Sequence, residues 1–284
     1  MKRSRAFRYR PYLVCLLSAV LILLLLTGCG STSQPVEEPA ASPEVTAEPV
    51  VAPEPAPEPT PVPTPEPATP ESRAAAKGLP APPDIDINSW EFAVANTYNS
   101  VNEYEPNNFG SAGNQFFDIR AVYDAQAFFQ AAYADGVSLY GAAGFRSYEY
   151  CLYHYEQQLL KLGSAAAVAA EPGEYHGPGV NEHQLGLAVD IIDQPYMSTD
   201  YFDYPTDDIL RTDSYAWAVE HCAEYGFILR YPEGKEMYYG VPCIAGHFRY
   251  VGKEAAQYIM ENDLCLEEFL LLYDDRAVYV PGIN

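Results

Sequence analysis

The sequence predicts an α+β fold: one compact domain with a central antiparallel sheet flanked by helices, behind a signal segment and a proline-rich linker. Three observations predict it. Helix-like and strand-like stretches interleave after residue 84 without the regular strand–helix–strand period that a parallel sheet needs. The stretch "LGLAVDII" alternates, with Leu187, Val189 and Ile191 on one side and Ala188 and Asp190 on the other, which is the period of a strand. From Asp84 to Asn284 the chain is also long enough to bury a sizeable core.

Residues 1–28 read as a lipoprotein signal peptide. "MKRSRAFRYR" is basic, and residues 12–26 form an apolar run too short for the roughly 20 residues of a spanning helix. Leu26-Thr27-Gly28-Cys29 resembles a bacterial lipobox, making Cys29 the expected site of lipidation. Residues 29–83 read as an anchored, disordered linker, since repeats such as "PEPAPEPTPVPTPEPATPE" forbid regular ladders and offer little to bury. Residues 84–284 are then the folded domain. The chain has 16 Lys+Arg against 39 Asp+Glu, and five of the 16 lie in the first ten residues. The mature charge of about −28 argues against nucleic acid and against electrostatic docking to anionic lipid. Attachment to the membrane then falls to the lipid anchor, with the domain outside the cell on the outer face of the cytoplasmic membrane.

"SWEF" opens the domain as a short apolar run that predicts a strand. Residues 118–135 place Ile119, Val122, Ala125, Phe129 and Ala132 at helical steps. "GVSLYGAAGF" reads as a strand and turn, and "SYEYCLYHYEQQLLKLG" as a helix capped by Ser147. An alanine-rich segment and a glycine-proline loop lead to "LGLAVDII". "DSYAWAVEHCAEYGF" predicts a helix ending at Gly226. "FILRYP" and "GHFRYVG" predict strands, and "EAAQYIMENDLCLEEFLLLY" a terminal helix.

Two of the five histidines stand out. His183 lies seven residues before Asp190, on the approach to the strand that carries this acid, and His247 opens another strand. Two imidazoles and a carboxylate suit tetrahedral zinc with a fourth position for water. Each residue alone is more often a hydrogen-bonded core group, and the spacing leaves that alternative open. His154, His176 and His221 lack convincing partners and read as structural or exposed. Cys151, Cys222, Cys243 and Cys265 could form two disulfides or remain buried thiols.

"GFRSYEY", "PGVNEHQLGLAVDI", "YGFILRYPEGKE" and "HFRYVG" resemble, in order and spacing, the VanY-like zinc D-alanyl-D-alanine carboxypeptidases of peptidase family M15. The resemblance spans about residues 88–273. It implies zinc held by His183, Asp190 and His247, and a peptidoglycan stem peptide ending in D-Ala-D-Ala as substrate. It also implies a carboxylate grip by Arg146, with Ser147 and Gln184 as further substrate contacts.

The sequence departs from the family at informative positions. The family's general-base glutamate, three residues before the last histidine, falls on Ile244, and its tryptophan falls on Gly246. Asn181 replaces the serine of the first histidine motif, and Cys151 replaces a pocket glutamine. Isoleucine can neither take nor give a proton, and a placed acid–base group is worth about 10²–10⁴-fold. Glu182 and Glu236 are the nearby acids that a loop could bring in. Cysteines at or beside two departures suggest a Cys151–Cys243 disulfide, with Cys222–Cys265 joining two helices. An impaired domain that binds zinc and a wall peptide or partner without cutting is the competing expectation.

Overall fold

The computed structural model describes residues 68–170, 177–192 and 209–279, all within one compact unit, Pro63–Asn284. The signal segment, Cys29, the linker up to residue 67 and His176 lie outside the described residues.

Among the described residues, two antiparallel sheets form. The first is a hairpin of β1 (Phe109–Ala112) and β2 (Gln115–Asp118). Its two-residue turn is Gly113-Asn114, where φ is 56° at the glycine and any Cβ would stand 2.9 Å from the Phe129 ring. The second contains β3 (Tyr140–Ala143), β4 (Ala188–Ile192), β5 (Phe227–Leu229) and β6 (His247–Tyr250). Their order is β3-β4-β6-β5, antiparallel throughout. The α+β expectation therefore holds.

Strand alternation divides this sheet into two unlike faces. Val189, Ile191, Phe227, Phe248 and Tyr250 share one core with Val122, Ala125 and Phe128 of helix α2 (Val122–Ala134) and Trp217 of α5 (Asp213–His221). Phe128 sits at its centre, with ring centroids 5.3 Å from Phe227 and 5.7 Å from Trp217. The residues between them in sequence, Ala188, Asp190, Ile228, His247 and Arg249, take the opposite face. There Ile228 packs with α7 (Lys253–Glu261) and α8 (Leu266–Leu270) through Ala256, Ile259, Leu266 and Phe269. All five residues of β4 are buried because both faces are covered. The remaining helices are α1 (Pro70–Ala76), α3 (Tyr148–Leu162), α4 (Ala165–Ala170) and the short α6 (Glu236–Tyr239). Ser147 caps α3 as predicted, its Oγ accepting from Tyr150 N at 3.1 Å.

Several local expectations are corrected. "SWEF" forms a 3₁₀ turn, Trp90–Phe92, not a strand, because the carbonyls of Glu91 and Ala93 turn inward to accept from Arg249. The helix read from 118 begins at Val122, since Gln115–Asp118 pairs with β1 and leaves Ile119 exposed. The terminal helix breaks in two at Asp263, whose φ is 51°. None of the four described cysteines is in a disulfide. Cys222 and Cys265 belong to separate apolar clusters, and neither proposed disulfide forms.

The linker reading also fails at its C-terminal end. Thr69 caps α1, Pro70 occupies its first position, and Ala74 is fully buried against the C-terminal helices. Arg73 donates to Leu271 O at 3.1 Å and pairs with Asp275 at 2.7 Å. Pro80 O and Pro83 O accept from the hydroxyls of Tyr258 and Tyr273. Ala74→Asp is therefore expected to lower the unfolding free energy by at least about 2 kcal/mol, by burying an unpaired charge. Urea denaturation reads this as a lower midpoint, and an unchanged midpoint would show that the segment is not docked.

Candidate metal centre

Register brings the site together. Asp190 on β4 lies directly across from His247 on β6, on the same face of the sheet. His183 comes from the single 3₁₀ turn Glu182–Leu185 that leads into β4. Asn181 caps this turn, its Oδ1 accepting from His183 N at 2.9 Å, so the amide serves where the family has a serine. The turn ends at Gly186, with φ 66°, where a Cβ would stand 2.9 Å from Asp118 N.

The three side chains are buried and converge. His183 Nε2 lies 3.0 Å from Asp190 Oδ2, and His247 Nδ1 lies 2.9 Å from Asp190 Oδ1. One donor atom from each residue falls within 4.8 Å of the others, the sole such cluster among the described residues. Zinc bonds of about 2.0–2.1 Å place neighbouring ligand atoms about 3.3 Å apart in a tetrahedron. The observed spacing fits a small divalent ion after minor adjustment.

Behind the histidines lies a group of fully buried charges that sequence reasoning missed. Glu182 Oε1 accepts from Arg230 Nε and Arg249 Nη1, both at 2.7 Å. Arg230 turns its other two nitrogens to Glu267 at 2.8 and 2.6 Å, and Asn96 donates to the same carboxylate at 2.7 Å. Burial alone would raise the pKa of Glu182, but the charges of Arg230 and Arg249 outweigh it and hold the carboxyl well below the ordinary range. The available signal was an arginine inside each of the apolar stretches "FILRY" and "HFRYV", since buried guanidinium requires paired acids.

Arg146 lies beside the cluster, with Nη2 3.9 Å from Asp190 Oδ2 and its backbone N donating to His183 O at 3.1 Å. It lines a cleft of about 460 Å³ with Gln115, Phe145, Ser147 and Tyr150. Ser147 reaches this cleft, although its hydroxyl also caps α3. Gln184 is fully buried and braces the loop instead. Its Oε1 accepts from Gly179 N, and its amide donates to the carbonyls of Asn102 and Tyr104. As a direct substrate contact Gln184 is thus corrected to a loop brace.

Ile244, where the family resemblance places the general-base glutamate, packs into an apolar cluster with Tyr231, Tyr239, Val241 and Cys265. The two nearby acids have other partners. Glu182 is committed to the arginines, and Glu236 Oε1 accepts from Gly234 N in an exposed turn. Cys243 is partly exposed, and burial followed by the charges of Glu236 and Glu233 raises its thiol pKa. His154 packs against Tyr150 with tilted rings and His221 pairs with Glu224, both outside the cluster.

Comparison with known proteins agrees with this arrangement. The family described as VanY, D-alanyl-D-alanine carboxypeptidase, matches residues 114–253. The D-alanyl-D-alanine carboxypeptidase of Enterococcus faecalis is 34% identical over 191 residues, 65% of this chain and 67% of that protein. A mutant of the D,D-pentapeptidase VanY from the VanB-type resistance cassette, solved with Zn(II), superposes with a TM-score of 0.52 at 34% identity, covering 64% of this chain and 99% of the other. VanYB in complex with D-alanine-D-alanine gives 0.53 at 33% identity, covering 64% and 98%. The fold and cluster are those of a metal-dependent peptidase, and the chain belongs to the VanY family of D-alanyl-D-alanine carboxypeptidases.

The buried charges make a direct prediction. Glu267→Ala strips Arg230 of its bidentate partner and is expected to cost about 3–5 kcal/mol, measured by equilibrium urea unfolding. A loss below about 1 kcal/mol would show that the pair contributes little.

Proposed function

We propose that this chain is a zinc D,D-carboxypeptidase-type protein of the cell envelope, acting on peptidoglycan stem peptides that end in D-Ala-D-Ala. The observation that carries this reading is the convergence of His183, Asp190 and His247 beside Arg146 at the wall of the cleft. His183, Asp190 and His247 would hold the ion, and the guanidinium of Arg146 would take the terminal carboxylate of the peptide. Bound zinc supplies Lewis acidity and lowers the pKa of water. The zinc and the D-alanine-D-alanine of the two similar solved structures support this assignment. Cys29, lipidated, and the acidic linker would place the domain outside the cytoplasmic membrane, within reach of the wall.

Ile244 favours a second reading, a domain that binds the peptide terminus without cutting it. The Ile244 side chain itself carries no group that could protonate the departing amine at that position. The first reading predicts slow release of D-alanine from a pentapeptide by the wild type, rising about 10²–10⁴-fold in Ile244→Glu. A silent wild type that binds the pentapeptide, with turnover appearing only in the variant, would establish the binder. Vigorous wild-type turnover that Ile244→Glu does not improve would place the base elsewhere. His183→Ala is expected to abolish zinc binding in a chelator competition, and full occupancy in that variant would overturn the ligand set.

A further inference from the structure

We propose that Glu182 is a positioning residue for His247, holding its imidazole with the proton on Nε2 so that Nδ1 presents a lone pair beside Asp190. This rests on the metal reading of His183, Asp190 and His247 and deepens it.

The two oxygens of Glu182 have different surroundings. Oε1 takes both arginines, whereas Oε2 is buried, accepts no hydrogen bond and stands 3.6 Å from Nε2 of His247. A structural ion pair alone has no need to aim its second oxygen at an imidazole. The far end of the same ring reaches Asp190 at 2.9 Å, so His247 bridges two carboxylates. A neutral imidazole has one N–H and one lone pair, and a metal ligand requires the lone pair toward the ion. A fixed carboxylate at the far nitrogen selects the tautomer that supplies it. The 3.6 Å separation exceeds a hydrogen bond, and closing it by about half an ångström brings it into range.

The ring plane is held by the same device. Tyr231 packs against His247 with centroids 4.9 Å apart, and the guanidinium carbon of Arg230 lies 4.8 Å from the centroid of the Tyr231 ring. Arg230 thus fixes both neighbours of the imidazole, Glu182 at its edge and Tyr231 at its side. Glu267, through its bidentate grip on Arg230, extends this support to α8.

The test uses the chain from Cys29 onward, with imidazole-¹⁵N-labelled histidine, loaded with zinc. Long-range ¹H–¹⁵N correlation is expected to show His247 with zinc-shifted Nδ1 and a protonated, slowly exchanging Nε2. Zinc on Nε2 with a protonated Nδ1 would overturn the proposal while leaving the metal site standing. Failure of the wild type to bind zinc at all would remove both. Glu182→Gln places an amide donor opposite Nε2 in one of its two orientations and is expected to weaken zinc binding about 10–100-fold. Glu267→Gln, which loosens the same ion group one residue further from His247, is expected to weaken zinc binding less than Glu182→Gln does. Equal losses in both variants would show a merely structural effect. If Glu182→Gln does not fold, the wild-type tautomer decides the question.

Discussion

The structure depends on keeping two guanidinium groups buried with their charges met. Arg230 and Arg249 have no exposed surface, nor do the side chains of Glu182 and Glu267. Removing one member of such a group leaves a charge in a medium that cannot solvate it, so its elements are tied to a common geometry. Arg249 fixes the Trp90–Phe92 turn through two carbonyls, and Arg230 ties β5 to α8. Both hold the turn that presents His183. The candidate metal cluster is therefore built on a braced surface, with Asp190 and His247 paired across neighbouring strands.

That bracing explains how the ligand set stays in register while the residues just before His247 diverge from the family. β4 and β6 are fixed by Val189 and Phe248 in the aromatic core on one face and by the ion group on the other. The segment at 242–246 is held by other contacts, with Ile191 N donating to Gly246 O at 2.8 Å. Gly246 has φ 82°, and a Cβ at its position would stand 2.6 Å from Ile191 O, so the chain turns tightly where the family has a large aromatic residue. Ile244 then packs inward with tyrosines. Departure from the family at Ile244 and retention of His183, Asp190 and His247 are compatible because different interactions hold these residues.

The parts of this site that the sequence made legible were those governed by local period. Alternation in "LGLAVDII" separated Asp190 from the apolar face, and the seven-residue gap from His183 to Asp190 matched a loop entering a strand. Ser147 was legible as a cap because a helix start needs an acceptor for its free N–H groups. The metal cluster itself needed the family resemblance, since spacing cannot distinguish a ligand from a buried, bonded histidine. What escaped was non-local. Arg230 and Arg249 look like ordinary strand residues until Glu182 and Glu267, 48 and 37 residues from Arg230, meet them. Composition suggested a disordered linker up to residue 83, yet a docking surface on the C-terminal helices recruits Pro70–Ala76 into the fold. The cysteines invited pairing by their positions, whereas Cys222 and Cys265 lie in separate apolar clusters and none of the four is in a disulfide.

X-ray absorption at the zinc edge tests the metal centre most directly, applied to the purified chain from Cys29 after stoichiometric loading. Two histidines and one aspartate predict a first shell of nitrogen and oxygen scatterers at about 2.0–2.1 Å, with imidazole multiple scattering matching two rings. A sulfur scatterer near 2.3 Å, or a spectrum lacking the two-imidazole signature, would contradict the assignment of His183, Asp190 and His247.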